Sequence, residues 1–382
     1  MIDIKDAREC CGCGACVQRC PKQCISFNED SEGFRYPEVD PTRCIHCDLC
    51  ERVCPVINVP PARDIKRVYA AVNPDAEVRR ESSSGGVFGA IARGVLERGG
   101  VVFGARFDEN WEVCHDSAET PDALEAFRSS KYMQSRMGDC YARAEGFLKQ
   151  GREVLFTGTP CQIAGLRGFL RKDYPGLTAV DVICHGVPSA RVWRLYLRQL
   201  LEQGLAGGNA ADITAINFRA KPHGWLQYYM RIDTRQGSLC VPRSGNPYMK
   251  VFLHDVSLRP ICYVCPFKGG CSGSAFTLAD FWGIQHVDPA MHDDLGTSMI
   301  IVHDAEAAAA AAGGLTLKEE PADAVARYNG SYFRAATPNG NRRLFFSRLN
   351  KSSDVAALMR RCASPTRLQR AMNLVYRKLH SK

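Results

Sequence analysis

The sequence predicts two folded parts: a small α+β module at the N-terminus and a larger α/β domain with a mixed sheet. Two cysteine motifs of identical spacing, both within the first 54 residues, indicate the module. Strand and helix patterns that alternate from residue 67 onwards indicate the larger domain. A chain of 382 residues is long enough to hold both.

The two motifs share the pattern Cys-x2-Cys-x2-Cys-x3-Cys-Pro, the first starting at Cys10 and the second at Cys44. This is the spacing of bacterial two-cluster ferredoxins, in which the fourth Cys of each run ligates the other cluster. A pair of zinc sites is the competing interpretation, but zinc requires neither the third Cys nor the following Pro. We therefore predict a ferredoxin-like module with two 4Fe-4S clusters. One cluster would take Cys10, Cys13, Cys16 and Cys54, and the other Cys20, Cys44, Cys47 and Cys50.

Nineteen cysteines in a chain that begins without a basic and then apolar leader predict a reducing cytoplasm, where thiols are kept for metal. Exposed clusters oxidise, so an anaerobic cell is expected. No apolar run approaches the length of a membrane span. No basic patch is interleaved with aromatic residues, so nucleic acid is not a predicted partner.

The net charge of +8 is concentrated at the C-terminus, where residues 351–382 hold eight Lys or Arg against Asp354 alone. Spacing in this tail predicts a helix with one apolar face. That helix would pack on the domain, although docking to an acidic partner or a membrane surface is the alternative. The face is formed by Leu368, Met372, Val375 and Leu379.

The predicted boundaries are 1–58 for the cluster module, 59–66 for a stiff, Pro-containing linker, 67–350 for the large domain and 351–382 for the tail. Within the large domain, strands are predicted at 68–72, 101–107, 153–157, 177–184, 213–218, 226–233, 238–241 and 298–302. Helices are predicted at 86–97, 121–127, 139–150, 160–170, 189–203 and 307–312.

Three strand-to-helix turns are candidate binding loops, because open α/β sheets bind ligands beyond the carboxyl ends of their strands. In residues 81–86, serines would cap a helix while glycines present N–H groups to an anion, although a helix cap alone explains the pattern equally well. In the second turn Thr159 is the predicted N-cap and Pro160 the first helical residue. Cys161 would then be a cluster ligand, a reactive thiol or a core residue. The third turn carries Cys184 and His185.

The length of the large domain predicts a flavin. A 4Fe-4S centre carries single electrons, and about 320 residues follow the module, which exceeds what a relay needs. A flavin is the usual converter between one-electron and two-electron chemistry.

A further cysteine set, Cys262-x2-Cys265 followed by Cys271, predicts a third 4Fe-4S cluster, with zinc as the minority alternative. Its fourth ligand must come from elsewhere, with Cys184 the first choice and Cys161 the second. The other cysteines have no ligand spacing and are interpreted as packing residues: Cys11, Cys24, Cys114, Cys140, Cys240 and Cys362.

Five segments together resemble the family formed by the beta subunits of coenzyme F420 hydrogenases and dehydrogenases, in the version with a fused ferredoxin. These are residues 83–86, 130–135, 156–162, 183–189 and 262–265, with Asp280-Phe281-Trp282-Gly283 matching a later segment. The resemblance implies FAD, a cluster in the large domain, and hydride exchange with a deazaflavin or another two-electron partner. It implies FAD contacts at Ser84, Gly85, Gly86, Lys131, Gln134, Thr157, Gly158, Thr159 and Gln162.

By the same resemblance, Lys131 near the flavin N1–C2 carbonyl would stabilise charge on reduced flavin, and Cys161 and His185 are further catalytic candidates. One departure weakens the transfer of roles. The family usually reads Ala-Asp-Ile-Thr-x-Gly before the Asp-x-Trp-Gly segment, whereas residues 274–279 here read Ser-Ala-Phe-Thr-Leu-Ala.

The leading functional hypothesis is a flavin-dependent iron–sulfur oxidoreductase with two partners, a ferredoxin or other redox protein and a small two-electron acceptor or donor. Two alternatives remain open. One is a non-catalytic electron-transfer subunit of a larger redox complex, and the other is a reductase of surface-polysaccharide biosynthesis.

Overall fold

The computed structural model describes residues 1–304 and 313–364. Its N-terminal part is a small α+β module in which strands β1 (Ile25–Glu29) and β2 (Arg35–Val39) pair antiparallel along their length. Two short helices, α1 (Ala15–Arg19) and α2 (Leu49–Arg52), each begin inside one cysteine motif. Each motif therefore turns from a loop into a helix beside the strand pair.

The other strands of the described residues form two sheets. Strands β8, β9 and β10 make a three-stranded antiparallel sheet, and the rest make an eight-stranded sheet in the order β13-β3-β12-β11-β7-β6-β4-β5. In chain order the strands are β3 (Arg67–Val72), β4 (Val101–Phe107), β5 (Val113–Ala118), β6 (Val154–Gly158), β7 (Leu177–Val182), β8 (Ile213–Ala220), β9 (Tyr229–Thr234), β10 (Gly237–Pro242), β11 (Phe276–Asp280), β12 (Ser298–Val302) and β13 (Thr316–Glu320).

The large sheet is mixed, as predicted. Strands β4, β6, β7 and β11 run parallel, while β5, β12 and β13 run antiparallel to their neighbours. Strand β3 pairs antiparallel with β12 and so points the same way as β11. The carboxyl ends of β3, β6, β7 and β11 therefore lie along one edge of the sheet, which is where the three candidate loops begin.

The helices pack against both the large and the small sheet. For example, α4 buries Val87, Ile91 and Val95 in a cluster with Val102 and Leu155 of the sheet. In chain order the helices after the module are α3 (Ala76–Glu81), α4 (Val87–Glu97), α5 (Pro121–Leu124), α6 (Cys140–Lys149), α7 (Pro160–Leu170), α8 (Ala190–Glu202), α9 (Pro247–Leu253), α10 (Ile284–Val287), α11 (Asp323–Tyr328), α12 (Arg342–Leu349) and α13 (Val355–Ala363).

Several element predictions are confirmed to the residue, namely those at 101–107, 160–170 and 298–302. Strands β5, β11 and β13 were missed, as was the β1–β2 hairpin. Strand β11 reads Phe-Thr-Leu-Ala-Asp, with its first two residues buried and its last three half-buried. Its side chains therefore lack the period-two alternation that sequence analysis detects.

The predicted serine cap on α4 is wrong. The helix begins at Val87, its N-cap is Gly86 with φ of 80°, and no side chain accepts the cap hydrogen bond. Glycine occupies this position because the left-handed conformation is costly for other residues.

Two predicted helices, 307–312 and the one carrying Leu368, Met372, Val375 and Leu379, lie outside the described residues. Among the residues that are described, none of the helices has the length and apolar character needed to cross a membrane.

The N-terminal module is packed firmly against the large domain. Arg191 and Arg194 of α8 pair with Glu29 of β1 at 2.8 and 2.5 Å, and Arg342 of α12 pairs with Glu32. Phe34, which is 1% exposed, lies 6.1 Å from Phe346 between ring centroids. The two parts therefore meet through a buried, ion-paired interface, while the boundary at 58–67 stays a prediction.

Candidate functional site

The first predicted ligand set surrounds a cavity in the N-terminal module. Cys10, Cys13, Cys16 and Cys54 are all buried and all line this cavity. Their loop turns through Gly12 and Gly14, whose φ angles of 72° and 81° lie in the left-handed region that favours glycine. The Gly12 N–H donates a hydrogen bond to Cys10 Sγ at 3.3 Å.

The second ligand set lines a cavity nearer the surface. Cys20, Cys44, Cys47 and Cys50 all line it, and Cys47 is exposed. Cys24 also lines this cavity, and its Sγ lies 3.4 Å from Cys20 Sγ. The two cavities therefore differ in their access to solvent.

Each cavity takes three cysteines from one motif and the fourth from the other, which is the crossing that the spacing predicts. Among residues 1–304 and 313–364, no three Cys, His, Asp or Glu side chains converge on one point as a single-ion site requires. Thiols that bind the corners of a 4Fe-4S cube stand apart around it. The donor sets and the cavities that they line therefore fit one cluster each.

Four further cysteines, here called the third thiol group, gather beside the first cavity. They are Cys161, Cys184, Cys262 and Cys265. In each of the six pairs among them, a charge on one thiolate raises the pKa of the other. Cys161 lies in the first turn of α7, Cys184 follows β7, and the last two lie at the short turn Pro260–Val264.

Burial raises the pKa of Cys184 to about 12, and it also raises the pKa of Cys262 and Cys265. The pKa of Cys161 is raised first by its interaction with Cys11 and then by burial. These thiols are therefore protonated without metal, and metal binding would release the protons.

Cys271, the third member of the predicted set, lies at the margin of this group. It raises the pKa of Cys265 and of Tyr332, while burial raises its own pKa. In the structure the fourth member of the group with Cys184, Cys262 and Cys265 is therefore Cys161. The sequence predicted Cys271 in that position.

The third thiol group touches the N-terminal module through Cys11. Its side chain neighbours both Cys161 and Cys13, a member of the first ligand set, and the pKa of the Cys11 thiol is raised well above its usual value, chiefly by Cys13. Cys11 is buried, as its interpretation as a packing residue requires. Cys240, by contrast, is exposed on β10, so its interpretation as a packing residue is wrong: β10 is an edge strand of the small sheet.

The loop after β3 uses its glycines for packing. Gly85 N–H donates to Ser298 Oγ at 2.9 Å, and an added Cβ would lie 2.3 Å from the Ala71 carbonyl oxygen. Ser84 Oγ donates to the Thr297 carbonyl at 2.8 Å. Ser83 connects this loop with the segment that carries Lys131. Its Oγ accepts a hydrogen bond at 2.7 Å from the N–H of Ser130, the residue before Lys131.

Lys131 is half-buried, and the partners of its ammonium group are main-chain carbonyls. Nζ donates to the carbonyls of Arg128 and Ser129 at 2.9 and 3.2 Å. Burial lowers the pKa of Lys131 to about 7. A partly desolvated ammonium group of this kind is complementary to an anion.

The turn after β6 is held by a capping box. Thr159 N–H donates to Gln162 Oε1 at 2.9 Å, as part of the predicted N-cap on α7. Thr159 Oγ1 lies 3.2 Å from Cys161 Sγ. The main chain of Thr157 meets His115 Nε2 at 2.9 Å, and burial lowers the pKa of His115 to about 4, so this imidazole is neutral.

Gln134 faces the N-terminal module. Its Nε2 donates to the Cys11 carbonyl at 2.9 Å, and its Oε1 accepts from Arg259 Nη1 at 3.0 Å. His185 instead contacts residues of the large domain: its Nε2 lies 2.7 Å from Asp255 Oδ1, and its ring is edge-on to Phe252. Both side chains are therefore oriented by neighbours within the chain.

Residues 9–58 match the 4Fe-4S dicluster domain, and residues 151–318 match the C-terminus of the beta subunit of coenzyme F420 hydrogenase/dehydrogenase. Over residues 151–318, called the beta-subunit domain below, the chain is similar to this family. Its N-terminal module is the dicluster domain and holds two 4Fe-4S clusters. Over 55 residues the module is 45% identical to a 7Fe ferredoxin from Hydrogenibacillus schlegelii, covering 14% of this chain and 55% of that protein.

The beta-subunit domain has its own relatives. One of the subunits of F(420)H(2) dehydrogenase from Methanosarcina mazei is 25% identical over 167 residues, which are 41% of this chain and 47% of the relative. The chain thus spans about half the length of the curated relatives that it matches. A chain of the F420-reducing [NiFe] hydrogenase complex from Methanosarcina barkeri aligns with a TM-score of 0.45 at 18% identity, covering 68% of this chain and 83% of that one.

The beta-subunit domain also contains a buried cationic cluster that no sequence pattern indicated. Arg219 is 1% exposed, and its Nη2 donates to Asp280 Oδ1 at 2.7 Å and to the Ser83 carbonyl at 3.2 Å. Its guanidinium lies 3.9 Å from the Tyr228 ring centroid, and its Nε is buried without a partner. Arg219 ends a strand of the other sheet, so no local sequence signal connects it with Ser83.

Proposed function

We propose that this chain is a flavin-dependent iron–sulfur oxidoreductase that exchanges single electrons at its N-terminal clusters and electron pairs at FAD in the large domain. The proposal is carried by the position of Cys161. This thiol neighbours Cys11 of the cluster module, which raises its pKa, and it lies 3.2 Å from Thr159 Oγ1 of a candidate FAD loop. One side chain thus connects the electron-carrying part with the edge of the sheet where α/β domains bind ligands.

The third thiol group would hold a third 4Fe-4S cluster. Its four thiols come from three separate loops, and all six pairs interact. Four cysteines in mutual proximity are the donor set of such a cluster. This cluster would lie between the first cavity and the candidate FAD loops.

The residues at the sheet edge fit a flat, anionic cofactor. Lys131 has an ammonium group paired with main-chain carbonyls, and Arg219 has a buried Nε without a partner. Residues 157–159 begin α7, whose N-terminus favours negative charge. When bound, FAD supplies the exchange between single electrons and a hydride. Lys131 would hold negative charge on it, while Thr159 and Gln162 would keep the loop rigid.

The two-electron partner would be the deazaflavin coenzyme F420 or another hydride donor or acceptor. The single-electron partner would be a ferredoxin or another redox protein. The exposure of Cys47 supports such a partner, because the second cluster would then lie close to the protein surface.

An anaerobic inventory tests the proposal. Three clusters and one flavin predict about twelve iron atoms and one FAD per chain. A preparation with about eight iron atoms and no flavin would contradict it. An assay with reduced F420, NADH or NADPH as hydride donor and ferredoxin as acceptor then identifies the partner, and absence of exchange with all three donors in a flavin-replete preparation would favour an electron-transfer subunit.

A further inference from the structure

Arg259 connects the ligand set of the first cluster with the third thiol group. Its side chain is 0% exposed, and Nε donates to the Cys10 carbonyl at 2.7 Å. Its own carbonyl accepts from the Cys262 N–H at 2.9 Å. One residue therefore holds the first cysteine of the first ligand set with its side chain and a cysteine of the third thiol group with its backbone.

The guanidinium of Arg259 has neutral hydrogen-bond partners. Nη1 donates to Gln134 Oε1 at 3.0 Å and Nη2 to the Arg35 carbonyl at 2.8 Å. The rings of Phe34 and Tyr36 cover it, with centroids 5.6 and 4.4 Å away. In the part of the chain that the structure describes, no carboxylate forms an ion pair with it, whereas buried Arg219 pairs with Asp280 and Arg342 pairs with Glu32.

A buried positive charge is costly unless a negative charge compensates for it. The ionisable groups that face Arg259 are the thiols of Cys10, Cys11 and Cys262 and the Tyr36 hydroxyl. Two of these belong to the ligand sets of different clusters. Thiolate-bound 4Fe-4S clusters are anionic and gain a further negative charge on reduction, so each would compensate Arg259.

We propose that Arg259 is the shared counter-charge of the first cluster and the third cluster, and that it raises the reduction potential of both. The effect on the third cluster rests on the function proposed above, whereas the effect on the first cluster does not. A fixed positive charge stabilises the reduced form more than the oxidised form, and net charge and hydrogen bonds set the potentials of such clusters. Burial strengthens the effect because the aromatic cover lowers the local dielectric constant. Arg259 is a positioning residue, since it acts through the ligands.

The test is a potentiometric titration, followed by electron paramagnetic resonance, of anaerobically purified Arg259→Gln, Arg259→Lys and wild-type protein. In Arg259→Gln, the equilibrium constant for reduction of the first cluster should fall tenfold or more, which is about 59 mV for one electron. Arg259→Lys keeps the charge. It should shift the potential of the first cluster by less than a third of the shift expected for Arg259→Gln. The second cluster, at Cys20, Cys44, Cys47 and Cys50, should keep its potential and serves as an internal reference.

Arg342→Gln is the matched control for the first cluster, because it breaks the Glu32 ion pair at the same interface, while its guanidinium packs on Tyr263 and not on a ligand of that cluster. The potential of its first cluster should equal that of the wild type. Gln134→Glu is a second route to the same result: it keeps Arg259 but places a carboxylate against Nη1. It should lower the potential of the first cluster as Arg259→Gln does, and it answers the question if Arg259→Gln fails to retain iron.

Unchanged potentials in iron-replete Arg259→Gln or Gln134→Glu protein overturn the proposal, as does a shift in Arg259→Lys equal to that in Arg259→Gln. Iron analysis of the wild type separates the two proposals. About eight iron atoms per chain would contradict the third cluster, yet the potential of the first cluster would still report on Arg259.

Discussion

Gly165 of α7 lies directly against Cys13 of the first ligand set: a Cβ added to Gly165 would stand 2.9 Å from Cys13 Sγ and from the Tyr141 hydroxyl oxygen. The helix that starts at Pro160 and carries Cys161 thus also forms one wall of the first cluster site. Glycine is required because the cysteine loop and the helix approach so closely that no side chain fits between them.

The first prediction concerns this contact. Gly165→Ala should displace Cys13, remove the first cluster and lower the iron content by about four atoms per chain. Overpacking of this kind also destabilises the fold by about 1–3 kcal/mol. Iron analysis and thermal unfolding measure both effects.

The control for Gly165→Ala is Gly146→Ala in α6, where an added Cβ has no heavy atom within 4 Å. That change should retain all iron and raise helix stability, since alanine is favoured over glycine by about 1 kcal/mol in a helix. Full iron and wild-type melting in Gly165→Ala would show that the contact is not tight.

The second prediction identifies the fourth ligand of the third cluster. Cys161→Ser should lower the iron content by about four atoms, as should serine at Cys184, Cys262 or Cys265. Cys271→Ser is the matched comparison, and it should retain all iron because Cys271 lies at the margin of the group. The reverse result, iron lost with Cys271 but kept without Cys161, would support the set predicted from the sequence.

The third prediction concerns Lys131 and pH. Burial lowers its pKa to about 7 in the protein without FAD, so the ammonium form predominates below that pH and is lost above it. If this cation holds FAD, affinity should fall by up to about tenfold per pH unit above 7. Flavin titrations of stripped protein between pH 6 and 9 measure this. Lys131→Met should bind FAD weakly at pH 6 with no such slope, and an identical slope in both proteins would remove Lys131 from the site.

The fourth prediction follows from the unequal burial of the two N-terminal clusters. Cys47 is exposed, whereas Cys10, Cys13, Cys16 and Cys54 are each 9% exposed or less. An iron chelator or air should therefore release about four iron atoms rapidly, before the rest. The fast phase should be absent from Cys47→Ser protein. Release of all iron in a single phase would contradict the assignment.

Local patterns were sufficient for those features in which neighbours in the chain determine geometry. The capping box at Thr159 and Gln162, the helix that follows it and the strand β12 were predicted from a few adjacent residues each. The strands β11 and β13 were missed, because their pairing partners, and not their own alternation, make them strands.

By itself the sequence determined the two N-terminal clusters, because a ligand set with fixed spacing can close around its cube in only one way. It also predicted the mixed α/β architecture and the resemblance to the beta-subunit family. Only the tertiary structure decided that Cys161 joins Cys184 and Cys262, that Arg259 connects two ligand sets, and that Arg219 lies beside Ser83. Apart from the Arg259–Cys262 hydrogen bond, these contacts join residues more than 20 positions apart. Which of many candidates meet depends on how strands from distant parts of the chain order themselves in the sheet.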